Sequence, residues 1–158
     1  MTVRAITEAD LDWVLALNTA FETELSPLDR DGLARLVGVA AHTFAADPQA
    51  AFLLVMDQDA DYDSPNFLWH RARFERFLYV DRIAVSANHR RKGLAQALYA
   101  ALFDAARADG HTHVVCEVNS DPPNPQSDAF HEALGFYRIG EEHLPDRGKT
   151  VRYLACEL

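Results

Sequence analysis

Six consecutive residues, Arg90-Arg91-Lys92-Gly93-Leu94-Ala95, carry the first chemical signal in this chain. They follow an apolar run and precede a stretch with helical spacing, so they read as a strand-to-helix turn. The first turn of a helix presents N–H groups without intrahelical partners, together with the positive end of its dipole. Gly93 and Ala95 keep side-chain bulk away from that backbone. Such a turn is an anion site of a size suited to a pyrophosphate. Three cations stand beside it in a chain of formal net charge −9, and this local reversal of sign is a second pointer to a phosphate ligand. The turn matches neither GxxxxGK[ST] nor GxGxxG, because Gly93 is its only glycine. Taken alone, the six residues would equally make a tight bend with a solvated basic cluster.

A second group of residues could handle protons. Glu117 interrupts the apolar run VVCEV. Partial burial there would raise its pKa and make it a better general base. An exposed strand face, or pairing with Arg82, is the alternative. Asp81 is the other candidate carboxylate. Cys116 and Cys156 lie in apolar runs and read as buried free thiols rather than as a disulfide, a metal site or a nucleophile. His111 and His113 are two apart, and no cysteine or aspartate completes a set, so no metal is expected.

These residues need a scaffold. Thr2 to Ile6 reads as a strand, and Thr7 with Asp10 as a capping box. Two helices follow, the first through Leu11, Val14, Leu17 and Phe21, the second from Asp29 to about Ala41. Thr43 to Asp47 and Ala51 to Met56 read as a hairpin. Residues 57–76 are polar and turn-rich with embedded aromatics, and read as a long loop. Phe77 to Val85 is a strand and Gly93 to Ala108 a helix. His113 to Val118 is a strand, Ser127 to Leu134 a short helix closed by Gly135, and Phe136 to Glu142 and Lys149 to Glu157 are the last strands. The strand-helix-strand unit over residues 77–118 requires a parallel pair. The remainder reads as antiparallel. The fold class is therefore mixed α/β, with helices on both faces of one sheet.

With those elements in place, two motifs become specific together. Arg90-x-x-Gly93-x-Ala95 after an apolar strand resembles the acyl-CoA pyrophosphate loop of the GCN5-related N-acetyltransferase (GNAT) superfamily. Asn124-Pro125-Gln126-Ser127-Asp128-Ala129-Phe130-His131-Glu132-Ala133-Leu134-Gly135-Phe136 resembles its Asn-x-x-Ala-x-x-x-Tyr-x-x-x-Gly-Phe element. The order of elements is similar to that family along nearly the whole chain. The resemblance implies acetyl-CoA as the acyl donor and a mostly antiparallel sheet with one splayed parallel pair at the cofactor cleft. It implies backbone contacts to the pantetheine arm near Ile83, Ala84 and Val85. It implies phosphate contacts from Arg90, Arg91, Lys92, Gly93, Leu94 and Ala95, and further cofactor contacts from Asn119, Asn124, Ser127 and His131. One departure matters. Where the family often has a tyrosine that is thought to protonate the leaving thiolate, this chain has His131. Histidine can donate a proton near neutral pH; a packing role is the alternative.

The implied reaction is direct attack of a primary amine on the thioester, with Glu117 and His131 as the catalytic pair. The acceptor is a small molecule, an amino acid or a peptide. Glu22, Glu24, Phe67, Trp69 and Asp81 are the candidate acceptor-site residues. Two other readings compete: an acyl-CoA-binding sensor without transferase activity, and an interaction domain whose basic loop is only a turn.

Bulk properties bound the rest. The chain has 158 residues, 49% hydrophobic and 25% charged, the mix and length of a single domain over 1–158 with a sizeable core. Its acidity argues against nonspecific nucleic-acid binding. No apolar run approaches the roughly 20 residues of a bilayer span, and the N-terminus lacks a signal-peptide pattern, so the expectation is a cytoplasmic protein away from membranes. A homodimer could form by pairing of the last strand across a two-fold axis.

Overall fold

The computed structural model describes residues 2–158. Seven strands form one sheet: β1 (Val3–Arg4), β2 (His42–Ala46), β3 (Ala51–Asp57), β4 (Leu78–Val85), β5 (His113–Asp121), β6 (Tyr137–Leu144) and β7 (Lys149–Glu157). Their spatial order is β1-β2-β3-β4-β5-β7-β6. Every neighbouring pair is antiparallel except β4 and β5. Five α-helices flank the sheet: α1 (Leu11–Ala20), α2 (Arg30–Val39), α3 (Pro65–Arg71), α4 (Leu94–Ala108) and α5 (Pro125–Leu134).

The apolar patterns decide which face each helix covers. β3 is buried at six successive residues, Ala51 to Met56, as a central strand covered on both sides must be. On one face Leu94, Leu98 and Leu102 of α4 pack with Leu53, Val55, Leu78, Val80 and Val114, and Phe130 and Leu134 of α5 close the layer. On the other face Leu11 and Val14 of α1, Leu33 and Leu36 of α2 and Phe67 of α3 pack with Phe52, Leu54, Met56 and Tyr79. Side chains cap the starts of α2 and α5. The Asp29 carboxylate accepts from the Gly32 N–H at 2.7 Å, and Asn124 Oδ1 from the Ser127 N–H at 3.3 Å. The Asp10 carboxylate accepts from the Thr7 N–H and from Arg4, whose guanidinium also holds Asp47, so the chain's first turn is tied to the β2–β3 hairpin.

Two expectations change. Residues 57–76 are not a long loop: Pro65 sits in the first turn of α3, where a missing N–H costs nothing. Phe67 and His70 then fall on one buried face at i, i+3 spacing. The last strand cannot pair across a dimer. β7 is hydrogen-bonded to β5 on one side and β6 on the other, and the free edge belongs to β6. No helix among the described residues is long and apolar enough to cross a membrane.

Candidate active site

The site begins where the parallel pair comes apart. β4 and β5 are in register only at Leu78–Val114 and Tyr79–Val115. Beyond Tyr79, β4 stays with β3 and β5 stays with β7, and their facing edges pair with nothing. A bulge helps to turn β4 away: Arg82 lies opposite Leu54 and Val80 opposite Val55, which leaves Asp81 out of register. A cleft of about 830 Å³ passes through the gap and reaches both faces of the sheet. Ile83, Ala84 and Val85 line it on one side and Glu117, Val118 and Asn119 on the other. A second hollow of about 270 Å³ shares Ile83 to Val85 as a wall and extends to Ala95.

At one end of the cleft lies the start of α4. Gly93 caps the helix with φ +75°, and Arg91 also has a positive φ, +64°. The region suits glycine at low cost and costs a side-chain-bearing residue roughly 1–2 kcal/mol. The first helical bond runs from Ala97 N–H to Gly93 O at 3.0 Å, so the N–H groups of Leu94, Ala95 and Gln96 have no intrahelical partner. The Leu94 side chain is in the core, so only its backbone is available to a ligand. Among the described residues none of Arg90, Arg91 and Lys92 is in an ion pair. The Arg90 guanidinium lies 5.2 Å from the centre of the Phe21 ring and lines the cleft. Arg91 and Lys92 are exposed beside it.

Proton-handling groups meet in the middle. Glu117 is half-buried and projects to the α1/α2 face, where the Tyr79 hydroxyl donates to its Oε1. Burial pushes the Glu117 carboxyl up to about 8, with the nearby Asp81 adding to the rise and the Tyr79 hydrogen bond opposing it. Tyr79 is itself held well above the ordinary phenol value, first by burial and then by the Glu117 charge, so it stays a donor. Glu117 is not paired with Arg82. That guanidinium binds Asp81 through Nε at 2.8 Å, Asn18 Oδ1 at 2.9 Å and the Ser26 carbonyl at 3.1 Å. The Asp81 carboxylate also accepts from Tyr62 at 2.5 Å. Asp81 is thus charge-balanced and committed, whereas Glu117 lines the cleft and is in no ion pair among the described residues.

On the opposite face, α5 brings His131 to the same gap. Its Nδ1 lies 2.7 Å from the Ser127 carbonyl oxygen, and Nε2 lies 3.1 Å from the Tyr99 hydroxyl. A carbonyl only accepts, so Nδ1 carries the proton and Nε2 accepts from Tyr99. Burial lowers the imidazole pKa, which favours this neutral form. Asn124 and Ser127 line the cleft at the start of α5.

The acceptor-side residues divide. Glu24 and Asp81 line the cleft. Glu22 does not; it is exposed in the turn after α1. Phe67 is fully buried against Tyr62, Phe77 and Tyr79. Trp69 stacks on Tyr153 with ring centres 3.9 Å apart, under the Arg73 guanidinium at 3.6 Å. Neither lines the cleft, because α3 turns Phe67 into the core and lays Trp69 on Tyr153. The cleft on this side is lined instead by Tyr62, Asn66, Tyr79, Arg147 and Lys149, which the sequence reading missed, and Tyr99 lines it from the opposite face. Asn66 accepts from the Tyr153 hydroxyl at 2.8 Å, and Lys149 donates to the Thr23 carbonyl at 3.0 Å, joining the β6–β7 turn to the α1–α2 connection. A tyrosine two residues before the Asp81 bulge was the available signal for Tyr79.

Comparison with known proteins agrees with this architecture. The sequence model of the acetyltransferase (GNAT) family matches residues 30–136. The ribosomal-protein-S18-alanine N-acetyltransferase of Escherichia coli is 20% identical, with 99% of this chain and 92% of that one covered and a TM-score of 0.73. The ribosomal-protein-alanine N-acetyltransferase of Brucella melitensis is 19% identical, with both chains covered in full and a TM-score of 0.75. The protein yncA of Salmonella typhimurium, solved with its cofactor acetyl-CoA, is 18% identical over 100% of this chain and 94% of that one, with a TM-score of 0.74. At these identities the likeness is one of fold. No curated protein matches by sequence.

Proposed function

The chain belongs to the acetyltransferase (GNAT) family, and from that premise we propose that residues 1–158 form one acetyl-CoA-dependent N-acetyltransferase domain that acetylates a primary amine by direct attack on the thioester. The observation that carries this reading is the splay of β4 from β5, which joins an anion-binding helix start to a carboxyl of raised pKa through one cleft. Coenzyme A fits the groups present. The free N–H groups at Leu94 to Gln96 and the cations Arg90, Arg91 and Lys92 suit its phosphates, and the unpaired strand edge at Ile83 to Val85 suits an arm that carries amides.

Bound acetyl-CoA supplies the activated acetyl thioester. Glu117 takes the proton from the attacking amine, directly or through water, and the Tyr79 hydroxyl fixes its orientation. Backbone N–H groups left free at the splay face the developing oxyanion. Asp81, balanced by Arg82, holds the acceptor wall and leaves the base role to Glu117. Glu24 at the open side favours a cationic acceptor in its approach. Two of the similar folds are named for acetylation of a ribosomal-protein alanine, which makes a peptide that starts with alanine the first acceptor to try.

Calorimetry of acetyl-CoA with the wild type and Gly93→Glu is the direct test. Binding by the wild type that falls at least 100-fold in the variant supports the reading. No binding by folded wild type overturns it. Binding without transfer to any amine supports the sensor alternative.

A further inference from the structure

Breaking the carbon–sulfur bond leaves a thiolate, and the question is which group gives it a proton. On the α4/α5 side of the splay two ionisable groups line both hollows, Tyr99 and His131. His131 is ill placed to donate. Its Nδ1 proton is committed to the Ser127 carbonyl at 2.7 Å, and its Nε2, with no proton, accepts from Tyr99 at 3.1 Å. The mobile proton at this spot therefore belongs to the Tyr99 hydroxyl. We propose that Tyr99 is the proton donor to the leaving sulfur and that His131 is a positioning residue whose bare Nε2 holds the Tyr99 hydroxyl at the cleft. This assignment rests on the transferase reading above.

The surroundings of Tyr99 fit the role. The residue is 1% exposed, its ring is packed edge-on against Phe130 and Phe136, its hydroxyl is hydrogen-bonded to His131, and it lines both hollows. His131 is in contact with it, and the charges of Cys116 and, from the other side of the sheet, Glu117 act on it. Burial first, then Cys116 and Glu117, hold its pKa well above the ordinary value, so the proton is present at every working pH. The step balances. As the sulfur leaves the carbonyl carbon, the Tyr99 O–H bond breaks, the proton forms the thiol, and the phenolate recovers a proton from water in the cleft. The amine's own proton goes to Glu117.

The test does not need the natural acceptor. Coenzyme A carrying carbon-13 next to its sulfur is bound to the wild type, to Tyr99→Phe and to the double variant Tyr99→Phe/His131→Tyr, and the thiol pKa of the bound ligand is read from the carbon shift. Phenylalanine keeps the ring packing and removes only the hydroxyl. A hydroxyl aimed at sulfur stabilises the thiolate, so the expected acid constant of the bound thiol falls at least tenfold in Tyr99→Phe. Because Oη of Tyr99 and Nε2 of His131 are 3.1 Å apart, a tyrosine at 131 delivers a hydroxyl to nearly the same place and restores the constant. Equal thiol constants in wild type and Tyr99→Phe, with coenzyme A bound to both, overturn the Tyr99 assignment and leave the transferase reading standing. A wild type that binds no coenzyme A overturns the transferase reading itself, and the Tyr99 assignment with it.

Discussion

Replacing Glu117 by glutamine should make the protein more stable and less active, and both changes have a computable direction. The Glu117 carboxyl is pushed up to about 8 from an ordinary 4.5 by burial in the cleft. Between those two values the folded chain binds this proton and the unfolded chain does not, so stability falls as pH rises through the window. The stabilising contribution is complete below about 4.5 and gone above about 8. At about 1.4 kcal/mol per pH unit the fully sheltered limit is about 5 kcal/mol. The carboxyl is half-buried and the cleft admits water, so solvent screening brings the expected figure to about 2–3 kcal/mol.

Glutamine is close in shape, can accept from the Tyr79 hydroxyl, and never ionises. Urea unfolding of wild type and Glu117→Gln at pH 5 and pH 9 isolates the effect, because the depressed imidazoles of His70, His111 and His131 contribute equally to both proteins and cancel. The two should differ little at pH 5, and the variant should be about 2–3 kcal/mol more stable at pH 9 relative to that baseline. Under the base assignment the same substitution lowers kcat by about 100-fold or more. A difference in stability that does not change with pH would refute the raised carboxyl, and with it the physical argument for Glu117 as base.

Wild-type kcat/KM should rise through about pH 8 as Glu117 loses its proton, and the profile of Glu117→Gln should lack that limb. Gly93→Ala should cost about 1–2 kcal/mol of stability, read by urea titration, because φ is +75° there while the new methyl would meet only Gln96 Oε1, at an ordinary contact distance of 3.9 Å. Gly140→Ala should lower the melting temperature through a clash, since its Cβ would stand 2.5 Å from Trp69 Cζ2; about 1–3 kcal/mol is expected, and Trp69→Leu in the same chain should recover part of it. Arg82→Met should cost about 3–5 kcal/mol by leaving Asp81 buried without its cation, and Arg82→Met/Asp81→Leu should be more stable than Arg82→Met alone.

What the sequence disclosed, and what it hid, follows from the range of the forces involved. The strand-to-helix turn proposed as the anion site was legible because its parts are local: Gly93, its three cations and the start of α4 are neighbours in the chain, and backbone geometry over a few residues defines it. The order of strands and helices was legible for the same reason, through period and caps. The β7 position was not, because strand order is set by which edges meet in space, and nothing within Lys149 to Glu157 records that β6 returns to cover its outer side. The acceptor wall was misread where α3 was taken for loop. Once Ser64-Pro65 starts a helix, Phe67 must turn into the core and Trp69 onto Tyr153, while Asn66 just before them reaches the cleft. The partnership of Tyr99 with His131 joins residues 32 apart on two helices. Position 131 signalled a departure from the family pattern, but only the packing of α5 against α4 shows that the departure comes with a hydroxyl on the neighbouring helix. The residues to which we assign proton chemistry, Glu117 with Tyr79 and His131 with Tyr99, are each set by a contact across the splay or between helices. They follow from how the chain packs around the gap between β4 and β5, and so become visible only with the fold.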